Sequence, residues 1–398
     1  MEMRIYIHIH FYRMGEEKVM GEKNKKKIAI LSNGLARGGT DTFVINLVRG
    51  LDKSKYSVTV ILSVDGTEQI CREDEILEAG GTVLKTCALN GGIQSKVRHL
   101  KLLYRIMKKG KYDVFQTNID LFNGPNLFVS WLARVPIRIC HSHNSMQERE
   151  IKEGKTVAIK LYQWIMRKMC LIFSNRYAGC SELAMEFLFG KNWNNLNKKY
   201  KAIVVHNGID LVQFQSDVNK EEKRKKLGIR NEKIIITVGR LSLQKNPLML
   251  VEIFAELCKI RQDCDLLWVG NGEMLKKLQD EVEKLDIAER VHFLGIRTDV
   301  NELMQCSDLF LFPSLFEGFG IVAVEAQAAG LPCLVSDTLP KVVDCDGCEF
   351  MSLSKSACNW AEVANNILDG KKEIKISNAK LQLYSVEHMV SQMESLFI

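Results

Sequence analysis

The chain of 398 residues is 46% hydrophobic and 26% charged, with a formal net charge of +7, which excludes a disordered or fibrous protein and points to a soluble globular one. It holds no run of about 18 uncharged apolar residues that could span a membrane, and it is longer than one hydrophobic core usually organises, so two domains are expected. Its 12 cysteines are scattered, several inside apolar runs such as Ile137 to Cys140, which fits a reducing cytoplasm.

Residues 1–26 read as a disordered extension whose true start is open. The apolar, histidine-bearing run Ile5 to Phe11 is short and flanked by Arg4 and Arg13, no small-residue cleavage site follows, and Lys23 to Lys27 closes the segment. From Lys27 onward, β-branched runs alternate with segments of helical period, the pattern of βα units on a parallel sheet. The first set of strand candidates is Ile28–Ser32, Ser57–Ser63, Thr82–Thr86, Val114–Thr117, Ile137–His141, Tyr177–Gly179 and Ala202–His206. Within it, Lys96 to Lys109 is a basic amphipathic helix with Leu100, Leu103, Tyr104 and Met107 at helical spacing. An ordinary solvated face and a patch for anionic lipid headgroups both fit that helix.

The charged stretch Val212 to Asn231 marks a domain boundary. The alternation restarts with Ile234–Val238, Asp265–Val269, Val291–Leu294, Leu309–Phe312, Cys333–Ser336 and Glu349–Met351. The expected organisation is a first domain over residues 27–211, a second over 212–375 and a helical segment over 376–398. Both domains are doubly wound α/β units, in which ligands gather at the carboxyl ends of the strands.

Four segments stand at such ends. Gly38 and Gly39 follow the first strand and would let a phosphate or acceptor approach backbone N–H groups; the absence of a full GxGxxG or GxxxxGK[ST] counts against a dinucleotide dehydrogenase or P-loop enzyme. His141-Ser142-His143-Asn144 ends another strand, and His143 is the preferred candidate to contact a bound sugar, a structural histidine being the other reading. Arg240 and Lys245 follow the strand Ile234–Val238 and pair a planar fork with a mobile point charge, a combination suited to a diphosphate leaving group. In the block Phe312 to Pro332, Glu325 sits on an apolar helix, where a carboxylate needs a partner such as a sugar or ribose diol, or else a structural ion pair. Glu317 in the preceding loop could bind a second set of hydroxyls, with the N–H groups of Phe319 and Gly320 at the helix start. The triplets Asp263-Cys264-Asp265 and Asp344-Cys345-Asp346 invite a metal reading, but the first lies at the wrong end of its strand and the second in a turn. The lone CxxC, Cys345 to Cys348, lacks a second pair at zinc spacing.

These pieces, with His206 to Asp210 and Val269 to Glu273, resemble the retaining glycosyltransferases of family 4, from about Lys27 to the C-terminus. The histidine segment and Ser336 to Lys341 further resemble the subgroup that assembles capsular and exopolysaccharides. The resemblance implies the GT-B fold: two Rossmann-like parallel-sheet domains facing a cleft, with a C-terminal helix crossing back to the first domain. It implies that Arg240 and Lys245 neutralise the donor diphosphate, Glu325 binds the ribose, Glu317 binds the transferred sugar, and His143 contacts that sugar. Gly39, Gly270, Gly318, Phe319 and Gly320 would complete the donor site. No metal or cofactor is expected. The donor would be a nucleotide-diphosphate sugar, UDP-linked, and the acceptor a saccharide or lipid-linked saccharide, with no nucleic-acid partner. The location would be cytoplasmic, with an anionic membrane surface as a further partner. The alternatives are a nucleotide-sugar 2-epimerase of the same fold and a non-catalytic sugar-nucleotide-binding protein.

Overall fold

The computed structural model describes residues 25–36, 38–65, 72–146, 156–198, 200–216, 218–229, 231–372 and 374–398; the expected extension lies outside the described residues, except for Lys25 and Lys26. The first sheet is built from β1 (Lys26–Ser32), β2 (Tyr56–Leu62), β3 (Thr82–Lys85), β4 (Val114–Thr117), β5 (Ile137–Ser142), β6 (Arg176–Gly179) and β7 (Lys201–Val204), in the order β3-β2-β1-β4-β5-β6-β7. The second contains β8 (Lys233–Val238), β9 (Cys264–Val269), β10 (Val291–Gly295), β11 (Leu309–Phe312), β12 (Cys333–Ser336) and β13 (Cys348–Met351), in the order β10-β9-β8-β11-β12-β13. Every pairing is parallel. All the strand candidates are present, with ends displaced by at most two residues.

Helices cover both faces of the first sheet, which is why a strand such as β1 is buried without alternation from Ile28 to Ser32. One face carries the helix Gly39–Gly50 and the C-terminal helix Val386–Leu396, whose Met389, Met393 and Leu396 join Phe43, Val44 and Leu47 in one core. The chain thus returns to the first sheet after building the second. Two glycines allow that return: a Cβ at Gly50 would stand 2.6 Å from Val390 Cγ2, and one at Gly208 would stand 2.9 Å from both the Ser385 oxygen and the Val386 Cα. The other face carries helices Gly92–Gly110, Asn123–Leu132, Val157–Phe173 and Glu182–Phe189, which bury Leu103, Met107, Leu127, Cys170 and Leu188. The expected basic helix is therefore present. Its apolar face is narrower than the spacing implied, because Tyr104 points to solvent while His99 takes an interior position.

Strand order reverses direction between β1 and β4 in the first sheet and between β8 and β11 in the second. Loops diverge at such points and leave a crevice at the carboxyl ends of the strands. Gly38 and Gly39 follow β1, Asn118 follows β4, Arg240 follows β8 and Glu317 follows β11. Most of the candidate residues stand at these two switch points.

Candidate active site

In the second sheet, β8 ends in Gly239-Arg240. The loop is held flat against the loop after β9: a Cβ at Gly270 would lie 1.9 Å from the Gly239 oxygen, and one at Gly272 would lie 2.4 Å from the Leu241 oxygen. Gly270 thus shapes the site through backbone packing. Arg240 is exposed, its guanidinium without a hydrogen bond or ion pair among the described residues. Lys245 differs. Its Nζ lies 2.5 Å from Glu317 Oε1 and 4.9 Å from the centre of the Phe312 ring. Glu317 Oε1 also accepts a hydrogen bond of 2.7 Å from Ser314 Oγ, which leaves Oε2 as the oxygen without a partner among the described residues.

The loop after Glu317 turns through Gly320, at φ 84°, into the helix Ile321–Ala328. Every other residue of that helix is buried and Glu325 is half-buried, its carboxylate without a hydrogen bond or ion pair among the described residues. The described residues thus supply no partner for the structural ion pair weighed from the sequence. Burial pushes its carboxyl up to about 7, partly offset by the Arg72 guanidinium of the first domain. The folded chain holds this proton more tightly than the unfolded one, so the associated stability is complete below pH 4.5 and is lost as pH rises through about 7. Glu325→Gln is accordingly expected to stabilise the ligand-free protein at about pH 8, by at most about 3 kcal/mol, with no gain at about pH 4.5. Thermal unfolding of both forms across that range checks the sign.

The first domain supplies the opposite wall. Gly38 caps the helix Gly39–Gly50, and its N–H donates to Asp41 Oδ2 at 3.2 Å. The close approach at Gly39 is made by the other domain, since its Cβ would meet Ile321 Cγ2 at 3.3 Å. Burial lifts the Asp41 carboxyl to about 6, against the pull of Arg72 and Arg240. Asp41 and Arg72 escaped the sequence reading because neither terminates a strand.

The two histidines form a tilted pair, ring centres 4.1 Å apart, with the Phe43 edge against both. Hydrogen bonds assign their tautomers. Asn118 Nδ2 donates to the Leu31 oxygen at 3.0 Å, so Asn118 Oδ1 faces inward and receives both Gln116 Nε2 at 2.9 Å and His143 Nε2 at 2.9 Å. His143 therefore carries its proton on Nε2, leaving Nδ1 as a buried acceptor with no partner among the described residues. Gln116 Nε2 also reaches His141 Nδ1 at 3.3 Å, which puts the His141 proton on Nε2, likewise without a partner among the described residues. Desolvation holds the His143 imidazole down at about 3 and pushes that of His141 well below the usual histidine range, so both rings are neutral.

The walls meet directly. A Cβ at Gly318 would fall 1.8 Å from the His143 carbonyl oxygen. Ser145 Oγ donates to the Glu317 oxygen at 2.6 Å, and Ser181 Oγ donates to that of Gly318. Asp120, at φ 41°, accepts from the His143 N–H at 3.2 Å and from the Asn144 side chain, anchoring this loop from β4. Phe319 faces away from the opening, its ring stacked on His206 at 5.3 Å. The aspartate triplets lie elsewhere: Asp263 pairs with Arg261, Asp265 accepts from Asn231, Asp344 accepts from the Cys348 N–H, and Asp346 pairs with Lys380.

The sequence family described as Glycosyltransferase Family 4 matches residues 37–234, and that described as Glycosyl transferases group 1 matches residues 219–373. EpsF of Bacillus subtilis (strain 168), a provisionally named glycosyltransferase, is 31% identical over 349 residues, 86% of this chain and 88% of that protein. The chain belongs to the glycosyltransferases. The UDP-Gal:alpha-D-GlcNAc-diphosphoundecaprenol alpha-1,3-galactosyltransferase of Escherichia coli is 30% identical over 266 residues, 63% of this chain and 65% of that enzyme. The crystal structure of Anabaena HepE in complex with UDP and glucose superposes with a TM-score of 0.77 at 19% identity, covering 93% of this chain and 98% of HepE. The architecture is thus the GT-B fold. This glycosyltransferase transfers a sugar from a nucleotide-sugar donor to an acceptor, and its cleft is where residues from both domains converge.

Proposed function

We propose that the enzyme is a retaining hexosyltransferase that takes its sugar from a UDP-sugar and delivers it to a lipid-linked saccharide during surface-polysaccharide assembly. The observation that carries this reading is the convergence of Arg240, Lys245, Glu317, Glu325 and His143 on one cleft, where the side chains of Arg240 and Glu325 and the His143 Nδ1 have no partner among the described residues. The named substrates of the Escherichia coli galactosyltransferase and the UDP bound by HepE support the choice of uridine donor and lipid-linked acceptor. The division into residues 27–211, 212–375 and 376–398 belongs to the same reading.

In this reading the donor lies against the second domain. Arg240 and Lys245 face its diphosphate, Glu325 accepts from the ribose hydroxyls, and Glu317 Oε2 accepts from a hydroxyl of the transferred sugar. The acceptor hydroxyl attacks the anomeric carbon from the face the diphosphate is leaving. The new C–O bond forms as the carbon–phosphate oxygen bond breaks, and the proton passes to the departing phosphate oxygen. The two cations then stabilise charge that develops only in the transition state, where an electrostatic contribution has the most effect on rate. His143 accepts from a sugar hydroxyl through Nδ1, its proton kept on Nε2 by Asn118.

Incubating the protein with a panel of UDP-sugars and an undecaprenyl-diphosphate saccharide tests the whole reading. An α-linked product from an α-linked donor is expected. A β-linked product would overturn retention, and sugar interconversion without acceptor would make the protein an epimerase. The histidine assignment has its own test. Asn118→Asp places a carboxylate beside His143 Nε2, with His141 and Asp120 the other titratable groups against that ring and its backbone. The imidazole pKa should rise, and protonation would convert the Nδ1 acceptor into a donor. The variant's kcat relative to wild type should fall about tenfold per pH unit below the new pKa, whereas a merely structural role would give a pH-independent ratio.

A further inference from the structure

The second sheet brings two cysteines into contact at the end remote from the cleft. Cys258 lies in the last turn of the helix Pro247–Ile260, and Cys264 is the first residue of β9. The short loop between them turns the chain back, so that the Cys264 thiol donates a hydrogen bond to the Cys258 sulfur. Arg290 is fixed against the pair. Its Nε donates to the Cys264 oxygen at 3.2 Å, and its Nη2 donates to the Arg261 oxygen at 3.1 Å and to Cys264 Sγ at 3.7 Å. The hydrogen bond from Cys264 holds the Cys258 thiol below its usual range; Arg290 adds to that pull, while burial and Asp265 oppose it. Cys258 also has an opening. It lines a surface cavity of about 370 Å³ together with Lys259 and Arg290 and with Glu252, Glu256 and Asp286, whereas Cys264 has no exposed surface. Among the described residues, these features coincide at no other cysteine. Cys140 and Cys170 also touch, but both are fully buried in the core of the first sheet. Cys333 and Cys348 touch as well, but the Asp344 carboxylate beside them opposes a thiolate. Cys358 is exposed, and its sulfur faces the Glu362 carboxylate at 3.9 Å.

We propose that Cys258 and Cys264 form an oxidation site, in which hydrogen peroxide enters the cavity, Cys258 is the attacking thiol, and Cys264 resolves the product to a disulfide. The Cys258 sulfur attacks one peroxide oxygen and the O–O bond breaks. The departing hydroxide takes up the proton that Cys258 gave up and leaves as water, and Cys258 is left as a sulfenic acid. The Cys264 sulfur then attacks that of Cys258. The S–O bond breaks as the S–S bond forms, and the hydroxide leaves as a second water with the Cys264 proton. Two thiols are oxidised and one peroxide is reduced, with no other reactant. Arg290 stabilises the attacking thiolate, the usual part of a cation beside a reactive cysteine. The cavity sets Glu252, Glu256 and Asp286 against Lys259 and Arg290, and this negative balance favours a neutral oxidant over the anionic glutathione disulfide.

Trypsin cuts after Lys259 and Arg261, so the disulfide would join two peptides, 246–259 and 262–276, each with a single cysteine. The test treats the folded full chain with hydrogen peroxide, blocks the remaining thiols with N-ethylmaleimide and maps the digest by mass spectrometry. The joined peptides are expected to form at least about tenfold faster than Cys358 is oxidised, and at least about tenfold faster than with the same concentration of glutathione disulfide. Dithiothreitol should separate them. In Cys264→Ser the sulfenic acid should persist on Cys258 and be trapped there by dimedone, whereas Cys258→Ser should leave Cys264 unmodified. Thermal midpoints report whether these variants fold, and the wild-type measurement decides the proposal without them. Oxidation of Cys358 with no joined peptides would overturn it. So would joined peptides that form only at temperatures where the chain unfolds, or dimedone captured on Cys264 in Cys258→Ser. Equal rates with glutathione disulfide would overturn the choice of oxidant. No sugar transfer is measured, so the result is independent of the functional reading above.

Discussion

Gly318→Ala is expected to lower kcat by at least about 100-fold and to lower the thermal midpoint. The added Cβ would stand 1.8 Å from the His143 carbonyl oxygen, 2.6 Å from its carbon and 2.8 Å from the Asn144 Cα. All three are backbone atoms, so no flexible side chain can move aside, and Asp120 holds that backbone in place. The domains must separate to admit the methyl group. The core around Phe319 and Ile321 also takes in Cys180, Ala184 and Ile209 of the first domain, so the separation should lower stability as well. Separation removes the Ser145 and Ser181 contacts together and carries His143 away from a donor seated on the second domain. Donor affinity should therefore change far less than turnover, because Arg240, Lys245, Glu317 and Glu325 all stay on one side. Steady-state kinetics with donor titration would separate the two. An unchanged kcat would mean that the contact between Gly318 and His143 plays no part in turnover.

Lys245→Ala carries the second large effect. Removing one of two cations from a leaving diphosphate should reduce kcat about 100- to 1000-fold, the usual loss for a preorganised electrostatic group. The same change strips Glu317 of its ion pair, and this carboxylate is nearly buried, its side chain 8% exposed. The destabilisation should be on the order of 2 kcal/mol, reflecting a buried charge left without its partner. The two consequences can be pulled apart. In Lys245→Ala/Glu317→Gln the unpaired charge is gone, so the thermal midpoint should recover while turnover does not. Restoration of both would mean that Lys245 acts only by holding Glu317.

Much of this architecture was legible in the sequence because its strands are short, β-branched and bounded by glycine or by helical period. The run Ile234 to Val238 followed by Gly239-Arg240 needed no tertiary information: a fully buried parallel strand has only one way to end at a ligand crevice. Glu325 was legible for the opposite reason, as a carboxylate on an otherwise apolar helix. Relations across the cleft were not legible. Gly318 looks like any loop glycine until the His143 backbone is placed against it, and Gly39 invites a phosphate until Ile321 is found there. Asp41 lies within the first helix, and its proximity to Arg240 arises only when two sheets built more than 150 residues apart are brought together. The pairing of Lys245 with Glu317 is of the same kind, since 72 residues separate them. Helix periodicity also misjudged Tyr104, because the buried positions of this helix are His99, Leu103 and Met107, four residues apart.

The path of the C-terminal helix has a consequence for the order in which the molecule comes into being. Phe43, Val44 and Leu47 emerge early from the ribosome, yet the Met389, Met393 and Phe397 side chains that cover them arrive after the whole second sheet has been made. The usual sequence in which an N-terminal domain folds to completion ahead of the next is therefore closed to this chain. Until synthesis reaches Phe397 the nascent protein carries an uncovered apolar groove over β1 and β2, and the second half must fold beside it.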